Sequence, residues 1–333
     1  MRVTLLAHGQ FPDRAKTAVG ILRYADHEVV AVLDRTHAGD RVRDHLPDVQ
    51  DAPIVAEMDA VPDCDALIIG IAPIGGGFAD SWRPDVRTAI ERGCDVIAGL
   101  HSLLSEDPEF ARLAADHGVS LRDVRDPPND LSVATGEGVD ARVVLTVGTD
   151  CSTGKMTSSF ELRNAARERG LDAAVVPTGQ TGIMITGWGI AIDRVIADFA
   201  AGATEQLVRS ASDSDLLIVE GQGALCHPAY SGVTASILHG SQPDSLVLCH
   251  EAGRETVGGY DDFALPDPAT YATLYEQVVR PVSPATVDAG MLNTRGLTDS
   301  DATSAVADYA EALGVPAVDP VRDDAAVVLD AVL

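Results

Sequence analysis

Lysine occurs only twice in this chain of 333 residues, at Lys16 and Lys155, although Lys and Arg together number 24. Lys155 closes the run Gly148-Thr149-Asp150-Cys151-Ser152-Thr153-Gly154-Lys155, which follows the apolar stretch Arg142–Val147. A phosphate site needs inward-pointing backbone N–H groups, a helix N-terminus behind them and one mobile cation. Here Gly148 leaves the strand, Gly154 lets the backbone curl and Lys155 opens a helix. That order of strand, glycine loop, Gly-Lys and helix is the context that gives such a motif its meaning. Residues Gly148 to Thr157 are therefore expected to cradle the phosphates of a nucleotide-like ligand.

Two details depart from the plain P-loop. Five residues rather than four separate Gly148 from Gly154, and Met156 follows the lysine in place of Ser or Thr. In ATP-splitting P-loop enzymes the hydroxyl beside the lysine holds Mg²⁺. The next hydroxyl, Thr157, lies about 100° further round the helix. Phosphate binding is expected of this loop, whereas Mg²⁺-ATP chemistry would require Thr157 and Glu220 as metal ligands.

Glu220 ends the run Asp215-Leu-Leu-Ile-Val-Glu220-Gly-Gln222-Gly223, which has the form of a Walker-B-type strand. There it is expected to face the loop as a metal-water ligand or general base, or else to cap the turn. Thr178-Gly-Gln180-Thr181-Gly182 follows another short strand and brings amide and hydroxyl groups to the same edge, although Gly and Thr also form simple turns. Cys226-His227-Pro228 and His250-Glu251-Ala-Gly-Arg254 supply two histidines of the type that shuttles protons near neutral pH. Arg254 has the chemistry of a carboxylate fork. Leu292-Asn293-Thr294 closes a late strand, where an amide can recognise a base. Glu137, Asp140 and the acids of Asp299–Asp301 are expected on solvated faces and in a helix cap.

These groups need strand ends to hold them. The first 125 residues alternate expected strands (Val3–Ala7, Val29–Leu33, Ala66–Ile71, Asp95–Ala98, Ser120–Val124) with expected helices (Lys16–Tyr24, Pro84–Arg92, Pro108–His117). Such alternation predicts a parallel sheet with helices on both faces. Asp34 after the second strand and Gly75-Gly76-Gly77 after the third look Rossmann-like, but the G-x-G-x-x-G spacing of a dinucleotide site is missing. A Pro-, Gly- and Asp-rich stretch from Asp126 to Gly138 reads as the linker. The second half predicts strands at Arg142–Val147, Ala173–Val176, Leu216–Val219, Leu246–Cys249 and Pro284–Leu292. One helix is expected from the loop to about Glu168 and another from Ile190 past Ala200. The fold class is thus α/β, with a Rossmann-like domain at 1–137 and a P-loop NTPase-like domain at 138–333, both with mainly parallel sheets.

Composition limits the partners. With 51 acidic residues and a formal net charge of -27, the chain repels nucleic acid and anionic membranes. The acids are scattered rather than blocked and lysine is nearly absent, which reads as a halophilic cytoplasm. Aromatics are only 4%, so the cores must be aliphatic. The five cysteines form no C-x-x-C pair, which suits a reducing cytosol. No apolar run approaches about 18 residues, and no signal sequence precedes the first strand. A homo-oligomer acting on a small molecule is expected.

Taken together, these motifs resemble a family. Gly148-Thr-Asp-Cys-Ser-Thr-Gly-Lys-Met-Thr157 is similar to the G-T-D-C-x-x-G-K-M-T loop of the DgcN-type D-glutamate N-acetyltransferases, a family formerly without known function. Its Gly-Thr-Asp opening also resembles the longer loop of dethiobiotin synthetase. Thr178–Gly182, Asp215–Gly223, Leu292–Thr294 and Ala15-Lys-Thr-Ala-Val-Gly20 with Arg23-Tyr24 follow the family pattern, so the resemblance covers nearly the whole chain. It implies transfer of an acetyl group from acetyl-CoA to the nitrogen of a D-amino acid such as D-glutamate. A loop without the magnesium hydroxyl suits a CoA diphosphate held without hydrolysis. The loop and Asn293 are then expected to bind the cofactor, while the chemistry of the residues themselves, not the resemblance, makes Lys155, Glu220, His227 and His250 the catalytic candidates. The expected substrate contacts are Lys16, Arg23, Arg83, Thr178, Gln180, Thr181, Gln222 and Arg254. Two other classes stay open: an ATP- and Mg²⁺-dependent ligase or kinase, and a non-catalytic nucleotide-binding module.

Overall fold

The computed structural model describes residues 1–71 and 76–333. The chain forms two compact units, Met1–Pro127 with Ile183–Trp188, and Pro128–Gly182 with Gly189–Leu333. In the first, strands β1 (Arg2–Leu6), β2 (Glu28–Leu33), β3 (Ile54–Val55), β4 (Ala66–Ile69), β5 (Asp95–Ala98) and β6 (Leu121–Asp123) are joined through helices α1 (Lys16–Tyr24), α2 (Arg83–Glu91) and α3 (Pro108–His117). The strands are all parallel in the order β3-β2-β1-β4-β5-β6. This is the doubly wound Rossmann order, which reverses direction between β1 and β4. Strands covered on both faces read as unbroken apolar runs, and β4 is buried throughout. Helix α3 shows how local the signals are. The Asp107 carboxylate accepts from Glu109 N and Phe110 N, Pro108 opens the helix, and Gly118 closes it at φ 68°.

The second unit contains β7 (Arg142–Gly148), β8 (Ala173–Val176), β9 (Leu216–Val219), β10 (Ser245–Glu251), β11 (Thr256–Val257), β12 (Tyr260–Ala264), β13 (Val287–Asn293) and β14 (Ala317–Val318). Its helices are α4 (Lys155–Glu168), α5 (Gln180–Thr186, whose second half groups with the first unit), α6 (Ala197–Ser210), α7 (Ser231–Ser241), α8 (Pro268–Val279), α9 (Asp299–Leu313) and α10 (Ala326–Val332). Six strands form a parallel sheet in the order β14-β13-β10-β7-β9-β8, while β11 and β12 make a separate antiparallel hairpin. One core cluster joins this sheet to α4 and α10 through Val144, Leu162, Ile218, Val247, Met291 and Leu329, and it holds no aromatic side chain. Among the described residues, no helix is long and apolar enough to cross a membrane.

The expected strands and first-unit helices appear within one or two residues of their positions, except that the strand expected from Pro284 begins at Val287, but three expectations change. The helix expected from Ile190 begins at Ala197. Ile190, Ala191 and Ile192 are all buried, and Ile192 N donates to Thr178 O, so this run makes only the short 3-10 turn Ile192–Arg194 before the helix. The stretch read as linker is fastened to α6, where the buried Glu205 carboxylate accepts from Thr135 N, Thr135 Oγ1 and Gly136 N. Asp34 is fully buried and accepts from Gly9 N and Thr36 N, so its carboxylate holds loop backbone rather than standing open to a ribose. Of the triple glycine, Gly75 lies outside the described residues. Gly76 packs where a Cβ would sit 2.1 Å from His101 Cδ2.

Candidate functional site

Strand β7 runs centrally, between β10 and β9, and ends at Gly148. The loop that leaves it is tied on both sides: Thr149 N donates to Cys249 O at 3.0 Å, and Tyr275 Oη from α8 donates to Gly148 O at 2.7 Å. Ser152 and Gly154 both take positive φ, 60° and 102°, curling the chain back onto α4. Lys155 is buried, and its Nζ donates to Asp150 O at 2.7 Å. A Cβ on Gly148 would lie 2.8 Å from that Nζ, so the glycine leaves room for the ammonium over the strand end. Helix α4 has no acidic residue in its first turn and no side-chain N-cap. Its positive end is therefore uncompensated, as an anion site requires.

Asp150 pins this loop to the β11–β12 hairpin. Its buried carboxylate accepts from Arg254 Nη1 at 2.8 Å, Gly258 N at 2.7 Å and Cys151 N at 2.7 Å. Arg254 also donates to Cys151 O at 2.8 Å and pairs with Glu251. The guanidinium expected as a substrate fork thus braces the loop. Three potential ligand atoms, on Asp150, Cys151 and His227, lie within 4.8 Å of one another; among the described residues Glu220 joins no such group of His, Cys, Asp and Glu. With Arg254 bonded to the carboxylate, a cation there would meet a fixed positive charge, so the donor set does not fit a metal ion.

The two histidines are held neutral. Ala229 N donates to His227 Nδ1 at 3.0 Å, which leaves the ring proton on Nε2, 3.8 Å from Asp150 Oδ1. Burial lowers the His227 pKa, Asp150 opposes this and Lys155 adds to it. His250 Nδ1 lies 2.7 Å from Thr149 Oγ1 and its ring stacks on Tyr309. Burial, then Arg254, pushes its pKa down to about 4. Both rings suit fixed hydrogen bonds better than the proton shuttling near neutral pH that the sequence suggests.

Around them the expected segments converge. Gly221 follows Glu220 so tightly against β7 that a Cβ would lie 1.9 Å from Thr146 O and 3.4 Å from Lys155 Cδ. Glu220 is buried, Thr178 Oγ1 donates to its carbonyl, and its Oε2 rests against Gly182, where a Cβ would be 2.3 Å away. Gln222 Nε2 approaches Gly179 in the same way. Thr178, Gln180 and Thr181 are buried beside this strand end. Asn293 lies alongside the last loop glycine, its Cβ 3.9 Å from where a Gly154 Cβ would be, and its Oδ1 accepts from Arg295 N. Thr157 is half-buried in the first turn of α4.

The remaining candidates belong to the first unit. Lys16 is exposed at the start of α1 and Arg23 half-buried at its end. Arg83 bonds Asp107 at 2.7 Å and Glu109 at 2.8 Å, with its guanidinium 4.6 Å over the Phe110 ring. Sequence reasoning missed the contact between His8 and Asp85, which are 77 residues apart. The one available signal was a histidine two residues after the end of β1.

Comparison with known proteins agrees with both units. Residues 130–329 match the family model described as the DUF1611_C P-loop domain, and residues 35–127 the DUF1611_N Rossmann-like domain, both domains of unknown function. A D-glutamate N-acetyltransferase of Tritonibacter scottomollicae is 34% identical over 330 residues, covering 98% of this chain and 97% of that protein. One from Pseudoalteromonas sp is 38% identical over 258 residues, covering 77% and 78%. The crystal structure of a DUF1611 family protein from Anabaena variabilis superimposes with a TM-score of 0.93 at 40% identity, covering 99% of this chain and 98% of that one.

Proposed function

The chain belongs to the DUF1611 family, and from that membership we propose that it is an N-acetyltransferase moving the acetyl group of acetyl-CoA to the amino nitrogen of a D-amino acid such as D-glutamate. The P-loop of the second unit holds the CoA phosphates. One observation carries this reading: the lysine-capped loop keeps the phosphate cradle but places Met156 where a magnesium hydroxyl would stand. Similarity to two D-glutamate N-acetyltransferases, one of them matched over nearly its full length, supports the reaction class.

On binding, Lys155 Nζ exchanges the Asp150 carbonyl for a phosphate oxygen, while loop amides and the α4 N-terminus take the rest of the charge. Asp150, braced by Arg254 and Gly258, keeps the loop in that form before the ligand arrives. The pantetheine arm carries the thioester well away from the diphosphate, so the loop binds and orients rather than reacts. In the transfer, the amine nitrogen bonds to the acetyl carbon, the carbon–sulfur bond breaks, and CoA leaves as the thiol.

Incubation with acetyl-CoA and each D- and L-amino acid in high salt, following thiol release, tests the proposal. Release is expected with an acidic D-amino acid, and silence across all acceptors overturns it.

A further inference from the structure

At the carboxyl edge of the first unit's sheet, His8 follows β1 and Asp85 lies in the first turn of α2. Their side chains are buried, with His8 Nε2 3.0 Å from Asp85 Oδ2. Asp85 also accepts from Met58 N at 2.8 Å and from Arg35 Nη2 at 2.7 Å. Burial alone would raise the Asp85 pKa, but the His8 hydrogen bond, the Met58 amide and Arg35 outweigh it and hold the carboxyl below its ordinary range. An ionised carboxylate only accepts, so His8 donates from Nε2, and in the neutral ring the lone pair sits on Nδ1. That Nδ1 is buried and, among the described residues, has no hydrogen-bond partner.

A buried acceptor left unmatched costs stability, and such exceptions call for an explanation. An imidazole donating one nitrogen to a buried carboxylate while presenting a lone pair on the other is the arrangement of an oriented general base. Arg35 stands on the same carboxylate. Its Nη2 carries the bonds to Asp85 and Ser81 O, and its side chain is 42% exposed. Among the described residues its Nε and Nη1 have no partner, so it still offers donors to an incoming carboxylate. Base and cation are therefore fixed to one anchor, beside the point where the strand order reverses and open α/β sheets take their ligands. A ligand bearing a protonated amine and a carboxylate a few bonds apart matches the pair.

We propose that His8, held by Asp85, and Arg35 form an amino-acid site in the first unit, with His8 taking a proton from the ligand's ammonium group while Arg35 pairs with its carboxylate. The nitrogen–hydrogen bond breaks, its electron pair stays on nitrogen, and the proton bonds to His8 Nδ1, where Asp85 stabilises the imidazolium. The product is a neutral amine, the form an acyl transfer consumes, so the inference rests on the acetyltransferase reading for its purpose.

The test pairs kinetics with binding. His8→Asn should lower kcat at least about a hundredfold, leaving CoA affinity unchanged. Imidazole added to His8→Ala should restore part of the rate, which a folding defect would not allow. Arg35→Gln should raise KM for the amino acid about tenfold or more with kcat nearly kept. A folded His8→Asn that retains its kcat, or an Arg35→Gln with unchanged KM, overturns the site. Should the wild type acetylate nothing, the acetyltransferase reading fails. Calorimetric binding of free D-glutamate by the wild type, lost in Arg35→Gln, would then still uphold the amino-acid site, and no binding would overturn it.

Discussion

The buried carboxylate of Asp150 and the guanidinium of Arg254 meet at 2.8 Å, joining the phosphate loop to the hairpin that follows β10. Gly258 N from the hairpin turn binds the same oxygen at 2.7 Å. The loop is therefore held by tertiary contacts as well as by its own glycines. Removing one partner of a buried pair leaves an uncompensated charge, which typically costs about 3 kcal/mol or more. Arg254→Ala should lower the denaturation midpoint accordingly and weaken CoA binding with it. An unchanged midpoint would mean that the hairpin does not brace the loop.

Backbone packing beside the lysine gives a second prediction. Alanine at Gly221 would place its Cβ 1.9 Å from Thr146 O, a backbone atom of the neighbouring strand that cannot move aside alone. Overpacking of this kind costs about 1 to 3 kcal/mol, sometimes more. Gly232 lies in α7, where an added methyl would meet nothing within 4 Å, so Gly232→Ala should stabilise by about 0.5 to 1 kcal/mol. Thermal melts of the two variants should shift in opposite directions. Equal shifts would contradict the packing described for β9 against β7.

The phosphate loop was legible because its signals are local: a strand, two glycines and a lysine within a few residues. Its setting was not. Asp150 and Gly258 are 108 residues apart, and no spacing rule connects them. The same distance problem hid His8 from Asp85. Arg83 and Arg254 looked like substrate ligands because a chain with few cations makes each one conspicuous. In the structure Arg83 is paired with two carboxylates and Arg254 with Asp150, since buried or half-buried acids need them first. The apolar run at Ile190 has helical spacing on paper, and its pairing to Thr178 O decides otherwise.

His250 should make the second unit sensitive to acid. Its folded pKa is pushed from the ordinary 6.5 down to about 4, first by burial and then by Arg254. A depressed folded pKa contributes stability that is fully present above the unfolded value. That contribution is lost as pH falls from about 6.5 towards 4, because the unfolded chain takes the proton first. His250→Gln can keep a hydrogen bond to Thr149 and cannot titrate. Denaturation at pH 7 and pH 4.5 should show a smaller loss of stability for the variant than for the wild type. Parallel losses would show that another group dominates.

Met156 separates phosphate holding from phosphate chemistry. If the loop only grips a CoA diphosphate, acetyl transfer should proceed equally in excess chelator and in added magnesium, and Met156→Thr should gain nothing. Magnesium-dependent ADP formation from ATP, stimulated by a carboxylate substrate or by Met156→Thr, would instead place the protein among ATP-dependent ligases.

Lys155 carries the central claim. Its ammonium is buried against the Asp150 carbonyl, which it exchanges for phosphate in the proposed reading. A compact ammonium fits this cradle, whereas a planar guanidinium is wider and hydrogen-bonds as a rigid fork. A charge-assisted hydrogen bond is worth about 1.5 to 3 kcal/mol, roughly ten- to a hundredfold in affinity. Calorimetric titration of CoA into the wild type, Lys155→Ala and Lys155→Arg measures the effect directly. Both variants should stay folded and bind CoA at least about tenfold more weakly, with arginine failing to restore what alanine loses. Wild-type affinity for CoA in either variant would contradict the assignment of this loop as the phosphate site.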